Sequence, residues 1–247
     1  MGLIYGRNPV KEAILSGQTI NKIYAQADTK EVYDIIKLAK DNRVVVVQSD
    51  KIKLDNMLEG KNSQGIVAAV TDFVYSDVDE ILEYAKQKQE EPFVIILDKI
   101  EDPHNLGAII RTAECMGVHG VIIQKRNACQ VTDTVEKVAA GACSYVKVAR
   151  VTNITDTIKT LKQKGVWIYG LDMDGDGTIY DTKIDGAIAL VIGGEGQGIT
   201  RLVRQNCDVV INIPMSGQIN SLNASVSAAI SIYEVVRQKA KSGKNER

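Results

Sequence analysis

The sequence predicts an α/β protein with two parts, a small N-terminal α/β segment and a larger C-terminal domain built on a parallel sheet. From Phe93 onward, short apolar runs alternate with helix-like stretches, which is the order of a parallel α/β sheet. These runs are continuously apolar, as expected of parallel strands that are covered on both faces. The stretch 73–91 is charged and has no apolar face after Ala85. We therefore expect domains at residues 1–72 and 92–247, joined by a linker at 73–91.

Each part has a regular pattern of predicted elements. In the N-terminal segment we expect helices at 8–16, 30–40 and 50–58, and strands at 20–25, 44–47 and 65–70. In the C-terminal domain we expect strands at 93–98, 120–124, 144–149, 166–171, 189–194 and 209–213. The helices expected there are 105–116, 134–142, 153–164, 199–205 and 220–238. Open sheets of this kind bind ligands at the carboxyl ends of their strands.

Length and composition place the chain among globular proteins. It has 247 residues, of which 45% are hydrophobic and 25% charged. Its apolar runs fall short of the roughly 18 residues that a membrane span needs. The N-terminus also lacks the layout of a secretion signal, so we expect a cytoplasmic protein. A formal net charge of −1 does not indicate a nonspecific nucleic-acid binder. Without a C-x-x-C pair we expect no metal site and four reduced, mostly buried thiols, at Cys115, Cys129, Cys143 and Cys207.

Two segments imitate ligand-binding loops without matching them. Residues 172–183, DMDGDGTIYDTK, follow the spacing of a calcium loop, but Lys183 stands where a bidentate Glu is required. We interpret this run as a polar loop. The glycines of GGEGQG (193–198) fit neither a dinucleotide-binding fingerprint nor a phosphate-binding Walker loop.

The first segment that carries candidate chemistry is DPHNLGAIIRTAECMGV (102–118). Asn105 is placed where a helix N-cap is expected, and Gly107 allows close backbone approach. Arg111 falls beside the apolar face, near the end of the sheet where strands terminate. The alternative for Arg111 is an ordinary surface residue paired with Glu114.

Two further segments lie nearer the C-terminus. In ALVIGGEGQGIT (189–200) a buried strand runs into glycines, which exposes backbone groups to a ligand, and Glu195 is the one charge. The alternative is a tight turn whose glycines need positive φ. In INIPMSGQINSLNASVSAAI (211–230) a strand ends at Pro214 and a small-sided helix begins near Asn220. Such a helix packs closely against another helix, a subunit or a ligand.

Taken together, these segments resemble the signature motifs of the SpoU (TrmH-like) family of RNA 2′-O-ribose methyltransferases. The motifs are N-x-G-x-x-x-R-T-A, G-x-E-G-x-G after an apolar strand, and I-P-M-x-G-x-x-x-S-L-N-x-S, and all occur in order within 105–225. The resemblance covers 92–240 and is closest to members that methylate guanosines of ribosomal RNA. YGRNPVKEAI and SQGIVAAV resemble the substrate-binding domain of members that act on large-subunit ribosomal RNA, a domain similar to a small ribosomal protein. Ser63 departs from that pattern, since relatives often have His there.

The resemblance implies a fold, a cofactor and a set of site residues. The implied fold is a parallel-sheet domain with a C-terminal trefoil knot, which binds S-adenosylmethionine in a bent conformation. The implied cofactor-binding residues are Gly193, Gly194, Ile213, Met215, Ser221 and Leu222. The implied catalytic residues are Arg111, Asn105, Glu195 and Asn223. We expect Arg111 to grip the target phosphate and stabilise the forming alkoxide, with the other three orienting it and the ribose.

The implied partners are RNA and a second copy of the chain, with neither a membrane nor a metal ion. Large-subunit ribosomal RNA is the expected substrate, because the N-terminal segment resembles the domain of members that act on it. Two alternatives stay open. One is a tRNA ribose methyltransferase of the same family, and the other is a non-catalytic RNA-binding module for ribosome assembly.

Overall fold

The computed structural model describes residues 2–16, 18–26, 29–59, 61–71, 73–194, 196, 198–218 and 221–242. The chain divides into two compact units. The first comprises Met1–Val74 with Gln130–Asp133, and the second comprises Tyr75–Cys129 with Thr134–Arg247. Within the described parts, no helix is both long and apolar enough to cross a membrane.

The first unit is a mixed sheet with helices on both faces. Its strands are β1 (Gly2–Tyr5), β2 (Ile20–Gln26), β3 (Val46–Ser49) and β4 (Ile66–Val70), and its helices are α1 (Arg7–Leu15), α2 (Tyr33–Asp41) and α3 (Lys51–Met57). Among the described residues the strand order is β1–β4–β2–β3, with only β2 and β3 parallel. Strand β4 is buried throughout, because Ile66 and Ala68 pack in the cluster of α1 and α2 while Val67 packs against Leu54 of α3.

The second unit is built on a parallel sheet. Its strands are β5 (Phe93–Asp98), β6 (Gly120–Gln124), β7 (Lys147–Val151), β8 (Trp167–Leu171), β9 (Gly177–Thr178), β10 (Ile188–Gly193) and β11 (Val209–Asn212). Its helices are α4 (Val78–Gln87), α5 (Pro103–Cys115), α6 (Asp133–Ala139), α7 (Ile154–Gln163), α8 (Arg201–Asn206) and α9 (Ala224–Ser242). The order is β7–β6–β5–β10–β8–β11–β9, and every pair among the described residues is parallel.

Helix α4 lies in the stretch 73–91, which was predicted to be a linker or a bridging helix. Its Ile81 and Ala85 are fully buried. Ile81 packs in the core of the second unit with Ile96 and Ile122. Gly120 makes room for it, since a Cβ at that position would overlap the Ile81 side chain. Helix α4 is therefore part of the second unit.

The predicted α/β class with a parallel sheet is confirmed. Every predicted strand is present within three residues of its expected bounds. Strands β1 and β9 were not predicted, and β9 has only two residues, too few to show a period. None of the four cysteines forms a disulfide. Cys115 is exposed and the other three are only partly buried, so the prediction that most of them are buried was wrong.

Candidate functional site

The glycine segment after β10 is attached to the end of β5. Gly193 pairs in register with Asp98, the last residue of β5. The N–H of Gly194 donates to the carbonyl oxygen of Asp98 at 3.0 Å. The carboxylate of Asp98, which is 1% exposed, accepts the N–H of Thr200 at 2.7 Å. One buried residue therefore holds both sides of the glycine turn.

Close backbone approach explains why this turn is built from glycine. A Cβ at Gly194 would be 2.6 Å from the carbonyl oxygen of Lys99, and a Cβ at Gly193 would overlap the backbone of Gly198. Gly194 and Gly198 also pair as an isolated antiparallel bridge. Gly198 has a φ of +60°, which favours glycine. Gly193, Gly194 and Gly198 therefore present backbone rather than side chains at the end of the sheet.

The beginning of α9 is fixed to α5 by two asparagines. The Asn223 Oδ1 accepts the N–H groups of Ser225 at 2.9 Å and Val226 at 3.3 Å, so this side chain caps α9. The Asn223 Nδ2 donates to the Asn105 Oδ1 at 2.9 Å. Two of the predicted catalytic residues, from segments 118 positions apart, are thus in direct contact.

The capping of α5 differs from the sequence interpretation. Asp102 is the N-cap, and its carboxylate accepts the N–H groups of His104 and Asn105, each at 3.2 Å. Pro103 occupies the first helical position, where proline is favoured. Asn105 lies inside the first turn, so its interpretation as the N-cap was wrong. Its side chain bonds Asn223, while Asp102 performs the capping.

Arg111 lies on the exposed side of α5. It is six positions after Asn105, which corresponds to about 9 Å along the helix axis. Among the described residues its guanidinium makes no hydrogen bond or ion pair, so the pairing with Glu114 considered from the sequence is not present. Glu195, the remaining predicted catalytic residue, lies outside the described residues.

A cavity opens between the glycine turn, the end of β11 and the start of α9. All six residues predicted to bind a cofactor line it, namely Gly193, Gly194, Ile213, Met215, Ser221 and Leu222. The sequence analysis missed a second group of lining residues, namely Leu171, Asp172, Met173, Ile192, Gly196, Gly198, Ala224 and Ser227. The walls therefore combine apolar side chains, glycine backbone, two serine hydroxyls and one carboxylate.

The carboxylate belongs to Asp172, in the run interpreted as a polar loop. Its Oδ1 is 2.8 Å from the Arg204 Nη1 and also accepts the N–H of Asp174 at 3.1 Å. The sequence contained a signal for this position, because Asp172 directly follows the carboxyl end of β8, where parallel sheets bind ligands. The calcium-loop spacing of these acidic residues did not indicate that one of them lines a cavity.

This cavity suits a small amphipathic molecule. Glycine backbone groups can bond a polar heterocycle without side chains, and apolar residues such as Ile213 and Leu222 can cover its ring faces. A Cβ at Gly193 or Gly194 would clash with the backbone of Gly198 or Lys99, so these two glycines keep the shape of the turn that lines the cavity. These features fit S-adenosylmethionine, which carries an adenine, a ribose and a charged tail.

Comparison with known proteins gives the same family for both units. The SpoU rRNA Methylase family model matches residues 92–233, and the model described as RNA 2′-O ribose methyltransferase substrate binding matches residues 3–76. A TrmH family tRNA/rRNA methyltransferase of Staphylococcus haemolyticus is 45% identical over 245 residues, 98% of each chain.

Two solved structures show the same fold. The SpoU methyltransferase AviRb from Streptomyces viridochromogenes, crystallised with the cofactor AdoMet, is 26% identical and has a TM-score of 0.61. The alignment covers 96% of this chain and 90% of AviRb. The A. aeolicus TrmH/SpoU tRNA modifying enzyme is 24% identical with a TM-score of 0.58, over 68% of this chain and 88% of that one.

Proposed function

We propose that this chain, which belongs to the SpoU family, methylates a guanosine of large-subunit ribosomal RNA. As a member of that family it is an RNA 2′-O-ribose methyltransferase that uses S-adenosylmethionine. The observation that carries the site assignment is the cavity itself. Six residues from two separate segments, Gly193 to Leu222, meet around it beside the Asn105–Asn223 bond. The proposed substrate rests on the first unit, which matches the substrate-binding family model.

In this proposal the cavity binds the cofactor mainly through backbone. Gly193 and Gly194 allow it to approach the end of β10, while Ile213, Met215 and Leu222 cover its apolar surface. When bound, S-adenosylmethionine would supply a methyl group from its sulfonium centre. In-line attack by the ribose 2′-oxygen would break the sulfur–methyl bond and leave S-adenosylhomocysteine, and the 2′-hydroxyl proton would pass to the target phosphate. Holding the two reactants in this geometry lowers the barrier by several kcal/mol.

We assign to Arg111 the grip on the target phosphate and the stabilisation of the forming alkoxide. A guanidinium keeps its proton at neutral pH, so it acts as a hydrogen-bond donor rather than as a general base. Its exposure, without an ion pair to another described residue, leaves its donors available to a phosphate. Asn105 and Asn223 would orient the ribose, and Glu195 would fix Arg111.

We further propose a homodimer. Leu222, Val226 and Tyr233 are 36%, 45% and 58% exposed. Val226 and Tyr233 are seven positions apart on α9 and therefore share a face. An apolar face of this kind is typical of a subunit contact. Light scattering at micromolar concentration should give twice the mass of the chain, and a monomeric mass would contradict the proposal.

We also propose that the C-terminal part of the second unit is knotted, as the family resemblance implies. Support comes from the position of β10 between β5 and β8. The Gly194–Gly198 bridge, held against the end of β5, closes a loop at the place where later segments return to the cavity. An experimental chain trace from residue 188 to residue 242 tests this.

The activity and its substrate are tested together by transfer of a tritiated methyl group. Protein-free RNA from cells that lack this protein is incubated with the enzyme and labelled S-adenosylmethionine, and the RNA classes are then separated. Label is expected in large-subunit ribosomal RNA. Label in tRNA would shift the substrate to the alternative. Retained binding of S-adenosylmethionine without label in either RNA would favour an assembling particle as substrate, or a non-catalytic role.

Variants of Arg111 test the catalytic assignment in the same assay. Arg111→Ala should lower turnover roughly 100-fold or more, because a donor to the developing charge is lost. Arg111→Lys keeps the charge but not the planar pair of donors, so near-normal turnover in that variant would contradict the proposed grip. Lys159→Ala is a matched control, since it removes an exposed cation on α7 that does not line the cavity.

A further inference from the structure

Asp172 is the one charged side chain among the described residues that line the cavity. Its side chain is 13% exposed. It lies in the loop between β8 and β9, outside the three motifs that resemble the SpoU signature. A carboxylate in a mostly apolar cavity loses part of its hydration, so it needs bonding partners there.

The backbone around Asp172 is fixed on the neighbouring strand. Its N–H donates to the carbonyl oxygen of Ile211 at 3.0 Å, and the N–H of Asp176 donates to that of Val210 at 2.9 Å. A Cβ at Gly175 would overlap the backbone of Ile211, so the loop lies directly on β11. Asp172 is therefore held in position before any ligand arrives.

The side chain is oriented from a second element, helix α8. Arg204 reaches the Asp172 Oδ1 at 2.8 Å through Nη1, and its Nη2 donates to the carbonyl oxygen of Asp174 at 2.6 Å. The Oδ1 also accepts the N–H of Asp174. One carboxylate oxygen is thus committed to the protein.

The other oxygen is available to a ligand. No donor among the described residues bonds the Asp172 Oδ2. This atom faces the glycine turn, since it would be 3.1 Å from a Cβ at Gly198. The cavity lining therefore contains a fixed acceptor beside the glycine turn.

We infer that the Asp172 Oδ2 accepts a hydrogen bond from a ribose hydroxyl of the cofactor, with Arg204 as its positioning residue. A hydroxyl suits this acceptor better than the ammonium group of the methionine tail. Because Arg204 neutralises the carboxylate, the pair offers a hydrogen-bond acceptor rather than a net negative charge. The inference rests on the proposed placement of the cofactor in this cavity.

Calorimetric binding of two ligands tests the assignment without turnover. The ligands are S-adenosylhomocysteine and its 2′,3′-dideoxy analogue, which lacks the ribose hydroxyls. Asp172→Ala should raise the Kd of S-adenosylhomocysteine roughly 10- to 100-fold, the usual effect of losing a hydrogen bond to a charged group. It should leave the Kd of the dideoxy analogue unchanged. Arg204→Ala should reduce the discrimination between the two ligands, because Asp172 loses its orientation.

The matched control is Asp176→Ala, which removes an exposed carboxylate of the same loop that does not line the cavity. It should change neither Kd. An equal loss for both ligands in Asp172→Ala would overturn the ribose assignment, as would the absence of any loss. If Gly194→Ala also binds S-adenosylhomocysteine normally, the placement of the cofactor fails rather than the role of Asp172 alone. Melting temperatures of all variants show whether each is folded.

Discussion

Replacing Gly194 with alanine tests whether the glycine turn forms the cofactor cavity. The φ angle of Gly194 lies outside the left-handed region, so an added methyl group acts by volume alone. The new Cβ would be 2.6 Å from the carbonyl oxygen of Lys99. That oxygen belongs to the backbone just after β5, so no change of rotamer can relieve the overlap.

The magnitude follows from that distance. Nonbonded heavy atoms pack at about 3.5 Å or more, so the turn has to move away from Lys99 by roughly 0.9 Å. Overpacking of this kind costs about 1–3 kcal/mol of folding stability. A displacement near 1 Å of groups that position a ligand reduces function by up to about 100-fold. We therefore expect Gly194→Ala to weaken S-adenosylhomocysteine binding about 100-fold while the protein still folds.

The assay combines calorimetric binding with urea unfolding, and Gly186→Ala is the matched control. Gly186 has a φ of +68°, and nothing lies within 4 Å of an added Cβ. Alanine there costs about 1–2 kcal/mol through left-handed strain, far from the cavity lining. The two variants should be similarly destabilised, with binding lost only in Gly194→Ala. Binding within threefold of the parent protein in Gly194→Ala would refute the reasoning.

Three further predictions concern stability and reactivity. Asn223→Ala should cost about 2 kcal/mol in urea unfolding, roughly 1 for the helix cap and 1 for the bond to Asn105; equal stability of Asn223→Ala and Asn223→Ser, which keeps a cap, would contradict this. Burial lowers the pKa of His119, so the unfolded chain takes up that proton first and stability should fall as the pH drops below about 6.5. His119→Gln should flatten this dependence, and an unchanged slope would exclude His119 as its source. Iodoacetamide at pH 8 should alkylate the exposed Cys115 before Cys207, because burial raises the pKa of Cys207 to about 12. Mass spectrometry of the digested protein measures the order, and alkylation of Cys207 before Cys115 would contradict the prediction.

Glycine backbone after β10 is the part of the cavity wall that the residues themselves predicted, and the remaining predicted lining residues came from the family resemblance. Glycines that follow a buried strand mark positions where another backbone segment or a ligand can approach the chain closely. Parallel strands bring their carboxyl ends to one edge of the sheet. In the structure, the register between β5 and β10 places Gly193 opposite Asp98, so the glycine segment contacts the end of β5. The site residues from separate segments were grouped by their resemblance to the SpoU motifs, and the structure brings the six predicted cofactor-binding residues to one cavity.

Features that depend on a choice between similar residues were predicted less well. Both Asp102 and Asn105 can cap a helix, and the sequence analysis selected Asn105. Pro103 held the deciding signal, since proline is favoured at the first helical position and therefore marks Asp102 as the cap. The error matters for the site, because a capping Asn105 would have its side chain turned to its own helix instead of to Asn223.

Asp172 shows what spacing alone cannot reveal. Its carboxylate pairs with Arg204, 32 positions further along the chain, and its direction is set by a loop fixed on β11. Neither contact has a local pattern, because each depends on the strand order that places β8 beside β11. From its sequence alone, a carboxylate in such a loop is expected to be an exposed polar group. Only the folded structure places it beside the glycine turn. The glycine backbone of this site can thus be predicted from sequence motifs. The position of Asp172, the one charged side chain among the described lining residues, depends on the strand order.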